Sequence, residues 1–477
     1  METTPIPFYS DVDGTLINTD LLIEGVCIML KRQPWKAFAL PLWALRGKAF
    51  LKARVADHAS IEPSTLPYNA EFVEFLRCES EKGREIYLAS GSEERFVSAI
   101  ADHLGFVRGV VATALGQNLK GAAKAHAILA HCRGERFAYA GDKRADLLVW
   151  REAAEGVLVS TSARVERSAR KLTSVIRVFR VPKAGLVTYL KAVRLHQWLK
   201  NLLVFVPLIV AHRWKSWEAV TAAITMFFAF GLMASGTYVI NDLLDLPSDR
   251  RHQSKRRRPI ASGQLPLATA AMIAAVLMLL GAISAILVST GAALVLGTYL
   301  VATIAYSLYL KTFVIVDALT LAGLYTIRII GGAIAIVVTP SVWLLALSGF
   351  LFLSLGLLKR CAELDRMAQL SQPVAHGRGY LVSDDSLLKM MGVASGYIAV
   401  LVAALYIDSS IAAAQYRTPE ALWLICPLLL YWVSRMWIKT ARREMHDDPL
   451  VYSARDRASW IIFAGMGCAW LAAHFAF

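Results

Sequence analysis

The stretch NDLLDLPSDRRHQSKRRRP, residues 241–259, follows an apolar run and sets three spaced aspartates ahead of six lysines and arginines. Ionised groups beside hydrocarbon are expensive unless a partner compensates them. Carboxylates at Asp242, Asp245 and Asp249 suit a metal ion, and the cations suit phosphate oxygens. Asp242 and Asp245 are three apart and Asn241 and Asp245 four apart, so on a helix they share one face. Asp249 falls on that face too, but Pro247 predicts that the helix ends before it. An ordinary charged loop at the cytosolic end of membrane helices would explain the cations, but not the aspartates.

Outward from this stretch, composition bounds the class. The 477 residues are 56% hydrophobic with a mean hydropathy of +0.48, too apolar for a soluble enzyme, so a large part must face lipid. The net charge of +15 points to an anionic membrane surface or phosphorylated substrates. Basic and aromatic residues are not interleaved as in an RNA-binding module, and no nucleic acid partner is expected. The six cysteines include no CxxC pair, so neither a disulfide framework nor a zinc site follows. The opening METTPIPFYSDVDGT lacks a basic region followed by an apolar core, and the first domain is expected to stay in the cytosol.

Hydropathy changes near residue 195. Before it, IPFYSD, REIYLAS, GVVATA, RFAYAGD and EGVLVST alternate with helical stretches and read as strands of a parallel sheet. The expected layout is an α/β domain over 1–162 with a helical cap at about 18–70, a basic linker over 163–194, and an all-α polytopic membrane domain over 195–477. Nine apolar segments of near-spanning length follow, at 196–212, 216–241, 266–287, 289–309, 314–337, 341–359, 389–407, 419–438 and 458–476. With the N-terminus inside, the cytosolic loops hold the cations of 250–258, Lys311, 359–389 and 439–457, against only Arg213, Lys215 and Arg417 outside. The positive-inside rule then places the aspartates and the N-terminal domain in the cytosol, most simply at a bacterial inner membrane.

In the N-terminal domain, DVDGTL sets Asp11 and Asp13 at the carboxyl end of the first strand, where open α/β sheets bind ligands. Two carboxylates suit phosphoryl transfer, one attacking phosphorus and the other handling the leaving group's proton. LASGS supplies Ser90, KGAAKAHAI supplies Lys124 with Lys120 as an alternative, and AGDKRAD supplies Asp142 and Asp146. This set resembles the haloacid dehalogenase (HAD) superfamily of phosphatases, with a Rossmann-like fold. The resemblance implies Asp11 as nucleophile, Asp13 as general acid/base, Ser90 and Lys124 as phosphate anchors, and Mg²⁺ held by Asp11, Asp13 and Asp142 with Asp146 in support. Within the cap, PWKAFALPLWALRGKAF is apolar but too short to span a bilayer. It reads either as a cap helix with a core-facing side or as a segment grazing the membrane through Trp35 and Trp43.

The membrane half resembles the UbiA superfamily of intramembrane prenyltransferases through the NDxxDxxxD pattern, and its polyprenyl-phosphate phosphoribosyltransferase branch more closely. RLHQWLKN, NDLLDLPSDRRHQSKRRRPIASG, YSLYLKTFVIVD, LKRCAEL and DDPLVYSARDR carry that likeness in order. It implies that Asn241, Asp242, Asp245 and Asp249 form the catalytic motif, the aspartates holding Mg²⁺ against a diphosphate. Lys200, Asn201, Lys255, Arg256, Arg258, Tyr306, Lys311, Asp317, Lys359, Arg360, Glu363 and Arg457 would contact substrate, Glu363 orienting Lys359 from one helical turn away. Aromatic prenyltransferases of the superfamily usually carry a second acidic pair, where this chain has Asp317 and Leu321. The implied activity is transfer of 5-phosphoribosyl from phosphoribosyl diphosphate (PRPP) to a polyprenyl phosphate of the cell envelope, followed by removal of the 5′-phosphate. The rival reading is prenylation of an aromatic acceptor with a separate phosphatase activity. A non-catalytic lipid carrier fits less well, since binding alone needs neither Asp13 nor Asp245.

Overall fold

The computed structural model describes residues 5–114, 118–180, 184–369, 379–445 and 448–475. The chain divides into two compact units, Met1–Val193 with Tyr238–Ala275, and Arg194–Thr237 with Val276–Phe477. The first unit is built on a six-stranded parallel sheet ordered β3-β2-β1-β4-β5-β6. Its strands are β1 Phe8–Ser10, β2 Ile86–Glu93, β3 Gly109–Thr113, β4 Ala138–Gly141, β5 Glu155–Val159 and β6 Ser174–Phe179. Every residue of β1 and β4 is buried, as strands covered by helices on both faces must be. Side chains alternate across the sheet, so Phe8 packs into a core with Leu16, Phe72 and Val97, while neighbouring Tyr9 packs with Ile128, Phe137 and Trp150. Ser10 is in register with Leu88 and Ala140, which brings the carboxyl ends of β1, β2 and β4 to one edge.

Local chemistry sets the helix ends. Asp20 accepts from the amides of Leu22 and Ile23 and starts helix Leu21–Arg32, and Gly105 at φ +75° stops helix Glu94–Leu104. Between β1 and β2 the chain is helical, as expected of the cap, through Pro34–Phe38, Ala39–Leu45 and Lys48–Ala56. Trp35, Phe38, Leu42 and Leu45 are exposed, whereas Trp43 packs on the core and stacks on His58 at 5.9 Å. The apolar segment is therefore two-sided.

The stretch 163–194, expected as a linker, holds more structure than that. Ala163–Ala169 is helical and Ser174–Phe179 pairs with β5 as the sixth strand. Ser174, Ile176 and Arg177 stay exposed at this sheet edge. Residues 181–183 lie outside the described set. The unit also takes in Tyr238–Ala275, because Cys27 packs with Val239, Leu243, Leu246, Ile260 and Leu265.

The second unit is all-helical. Among the described residues, eight helices are long and apolar enough to cross a membrane: Trp217–Leu244, Leu267–Val288, Thr290–Leu308, Val316–Ala335, Val342–Ala368, Val382–Ile407, Pro419–Ala441 and Arg457–Phe475. Counting Leu186–Ala192 with Leu195–Val210 as one broken span makes nine. The continuous helix expected at 196–212 is instead a 3-10 run, Leu195–Phe205, followed by a five-residue α-helix with Pro207 in its first turn. The core gathers Tyr325, Leu358, Trp432, Met436 and Trp437. The whole is a Rossmann-like α/β domain followed by an all-α polytopic membrane bundle, the expected fold class.

Candidate functional site

At the carboxyl edge of the sheet, Asp11, Asp142 and Asp146 each place a carboxylate oxygen within 4.8 Å of the others. The turn after β1 makes this possible. Gly14 sits at φ +86°, and a Cβ there would collide with the Asp142 carboxylate. Lys124, from helix Ala122–His131, is buried and donates to Asp11 at 2.9 Å and to the Tyr139 hydroxyl at 3.0 Å, with Asp146 at 3.5 Å. Tyr139 in turn donates to Asp146 at 2.8 Å. Lys120 is exposed, so Lys124 is the lysine that reaches Asp11. The Asp142 Oδ1 atom is buried with no hydrogen-bond partner.

Burial shifts these acids. It raises Asp11, an effect that Lys124 opposes. It pushes Asp142 up to about 8, with Lys143 opposing and Asp11 and Asp146 adding to the rise. Burial works against the Lys124 ammonium, but Asp11 and Asp146 hold it above the ordinary lysine value. Crowded carboxylates in a dry site, one oxygen unpartnered, suit a hard divalent cation, and the cluster is consistent with such a metal site.

Asp13 lies outside that converging trio. Its Oδ1 accepts from the Leu21 amide at 2.8 Å, and its Oδ2 from the Ser92 hydroxyl at 2.5 Å and the Ser90 hydroxyl at 3.4 Å. Burial, then Asp20 and Asp11, push it up to about 6. Ser92 and Lys143, whose Nζ donates to the Asp13 carbonyl at 2.8 Å, were not anticipated. Ser92 was legible, because it stands two residues beyond Ser90 and so on the same face of the strand.

The opening stretch folds as Pro247 predicted. Helix Trp217–Leu244 stops, Asp245 departs from helical geometry, and a short helix, Leu246–Arg251, resumes with Pro247 in its first turn. Asp242 and Asp249 are buried and Asn241 and Asp245 half-buried. Arg258 joins Asp242 at 3.0 Å and Asp249 at 2.6 Å. Lys31 takes Asp245 at 2.7 Å, and Lys255 lies 3.9 Å from Asp249. Among the described residues these three aspartates do not converge as the N-terminal trio does.

In the second unit Lys200 and Lys359 both hold Asp448, at 2.8 and 3.1 Å. Burial would raise the Asp448 carboxyl, but the two ammonium groups outweigh it and hold the acid well below the usual carboxylate range. Asp447, which opens the DDPLVYSARDR segment, lies outside the described residues. Buried Arg360 reaches Asp317 at 2.6 Å, Glu363 at 2.5 Å and the Tyr306 hydroxyl at 3.2 Å, while Tyr306 donates to Asp317 at 2.8 Å. Glu363 thus serves Arg360 and not Lys359, a correction arising because Asp448, 89 positions along, claims the lysine. Helix Val316–Ala335 opens after Ile315 at φ +66°, a strained value for a β-branched residue. Lys311 is half-buried, and exposed Arg457 opens the last helix, Arg457–Phe475. Arg328 was missed. It is buried in a membrane-length helix, donates to Asn201 at 2.8 Å and Tyr299 at 3.1 Å, and the lone cation in an apolar run was the available signal.

With these networks in view, comparison with known proteins is informative. Decaprenyl-phosphate phosphoribosyltransferase of Mycobacterium tuberculosis is 36% identical over 190 residues, 38% of this chain and 62% of that protein. Nodulation protein NoeC of Azorhizobium caulinodans is 34% identical over 60% of this chain and 92% of its own length. The uncharacterized protein y4nM of Sinorhizobium fredii is 34% identical over 472 residues, 98% of this chain and 91% of that one, so the likeness runs through both the sheet domain and the helices. The UbiA prenyltransferase family model matches residues 202–455. That span covers the aspartate-rich loop, the Asp317–Arg360 network and Asp448 with Lys359, and the chain belongs to the UbiA prenyltransferase family.

Proposed function

We propose that the protein is a two-reaction membrane enzyme that transfers 5-phosphoribosyl from PRPP to a polyprenyl phosphate and then removes the 5′-phosphate, leaving polyprenyl-phosphoryl ribose. The observation that carries this reading is the buried Asp11–Asp142–Asp146 cluster with Lys124, in a chain whose membrane half belongs to the UbiA family. Identity to a decaprenyl-phosphate phosphoribosyltransferase favours this donor over a prenyl diphosphate. Both sites would work at the cytosolic face.

In the transfer step an oxygen of the lipid phosphate attacks C1 of the ribosyl group, the C1–O bond to diphosphate breaks, and its electron pair leaves with the diphosphate. The lipid phosphate is already anionic and needs no general base. It needs cations against repulsion by the donor, a role for Lys200, Lys359 and Arg360. Asp242, Asp245 and Asp249 would exchange Arg258 and Lys31 for the donor's metal, releasing Arg258 and Lys255 toward phosphate.

In the second step the Asp11 carboxylate attacks phosphorus, the bond to the 5′-oxygen breaks, and Asp13 gives that oxygen its proton. Asp13 then takes a proton from the water that releases phosphate from Asp11. Lys124 steadies the nucleophile and the phosphoryl oxygens, and Ser90 and Ser92 orient Asp13. Mg²⁺, held by Asp11, Asp142 and Asp146 in one site and by the three aspartates of the loop in the other, would neutralise phosphate charge. Fusion gives a lipid product kept in one leaflet a tethered phosphatase at high effective concentration.

The test is transfer of radiolabel from PRPP into a lipid phase by full-length protein with Mg²⁺ and polyprenyl phosphate, comparing wild type with Asp11→Asn. Label in lipid from both proteins, retaining its 5′-phosphate only in the variant, is the expected result. No label in lipid from either protein eliminates the donor, and prenyl diphosphates with aromatic acceptors become the next substrates.

A further inference from the structure

A cavity of about 600 Å³ in the first unit has neither aspartate cluster in its lining, although Arg250 directly follows Asp249 in the chain. One wall is the cap's end, Ser64 to Tyr68, and the other is the loop after the aspartates, with Arg250, Arg256 and Arg257. Among the described residues lining it there is no carboxylate, so three guanidinium groups face one concave space. Arg250 is spoken for in part, by Glu24 at 2.6 Å and the Ala261 carbonyl at 2.8 Å, which fix it in place. Arg256 and Arg257 are exposed and, among the described residues, have no carboxylate within 4.0 Å. Hydroxyls of Ser64, Thr65 and Ser262 and the amide of Gln264 complete a polar lining.

We infer that this cavity is a third anion site, one that binds the phosphate monoester of a phosphorylated sugar. The size fits: cavities that hold small molecules run from about 300 to 1,000 Å³. Planar guanidinium forks pair with phosphate oxygens two at a time, and three of them along one concave wall add their fields on an anion. The neighbouring hydroxyls and amide would satisfy sugar hydroxyls. The walls are two stretches distant in sequence, so a phosphate seated here ties the phosphatase cap to the loop that carries the transferase aspartates. The inference needs neither proposed reaction, because binding can be read without turnover.

The experiment is equilibrium binding to full-length Asp11→Asn protein in nanodiscs of neutral lipid, without Mg²⁺, so that neither aspartate cluster recruits the probe. Ribose 5-phosphate is the soluble probe, and a short-chain polyprenyl-phosphoryl ribose 5-phosphate is the lipid-borne one. Arg257→Gln is the primary variant and Ser262→Ala the second, both at positions that leave the packed core untouched. Saturable binding of at least one probe, weakened about tenfold by Arg257→Gln, is expected. Which probe binds assigns the source as soluble sugar phosphate or lipid-borne product. Failure of both probes to bind, or binding unaffected by both variants, overturns the inference.

Discussion

The chain carries two sets of three aspartates, and they are held in opposite ways. At the sheet edge Asp11, Asp142 and Asp146 crowd within reach of one cation, with Lys124 wedged among them and Asp142 Oδ1 unpartnered. Around the end of helix Trp217–Leu244 the aspartates are ion-paired, Arg258 serving both Asp242 and Asp249 and Lys31 serving Asp245. The first set is arranged for a metal before one arrives. The second is neutralised from within and must give up its cations to bind. The sheet can impose convergence because strand ends are fixed by their ladders, whereas a loop interrupted by Pro247 can settle into ion pairs.

The most severe test of this contrast is Asp11→Asn. Phosphatase activity should fall by about 10⁴-fold with transfer unchanged within twofold, and equal loss of both would mean that the two clusters do not work separately. Next is Arg258→Gln, which removes the ion pairs from that guanidinium to the buried acids Asp242 and Asp249. We expect a loss of about 1–3 kcal/mol in thermal or denaturant unfolding without divalent cation. Mg²⁺ should restore most of it, and a variant as stable as wild type in EDTA would contradict internal neutralisation.

A middling effect belongs to the cap. Phe38→Ser with Leu45→Ser should raise KM for lipid-linked substrate about tenfold while leaving a soluble phosphate ester unaffected, since both residues are exposed on a stretch free of acids from Val26 to Ala56. Equal effects on both substrates would make this face ordinary cap surface. Asp448 sharpens the contrast through pH. Its folded-state acid lies below its unfolded value, so its stabilisation is full above about pH 4 and drains as pH falls through the folded value. Wild type and Asp448→Asn should therefore differ in unfolding midpoint at pH 7 and converge in strong acid. The smallest effect is that of Lys31→Gln, whose exposed pair with Asp245 should contribute no more than about 1 kcal/mol.

Much of this was legible in the residues. Five strands announced themselves as β-branched or aromatic runs, and three of them end in acids or hydroxyls that do meet at the edge. The helix break beside Asp245 followed from Pro247. What escaped had physical reasons. The strand Ser174–Phe179 is a short β-branched run, SVIRVF, set among basic residues that made the whole stretch read as a linker. The partner of Lys359 was sought one helical turn away at Glu363 and found far along the chain at Asp448, because helical spacing constrains only local neighbours. The segment at 196–212 had the composition of a span but Pro207 to interrupt it.

The sixth strand has a practical consequence. A soluble fragment ended where hydropathy and motif suggest, near residue 162, would strip the partner from β5 and leave the backbone of Glu155–Val159 as a bare edge. It would also lack Val239, Leu243 and Ile260, uncovering the apolar side of the helix that bears Cys27. Such a fragment would offer a pairing template and a sticky face together, the two features that drive strand-to-strand aggregation. The sheet domain of this protein is thus finished by residues encoded after it, and its folding on the ribosome must wait for the first long membrane helix to emerge.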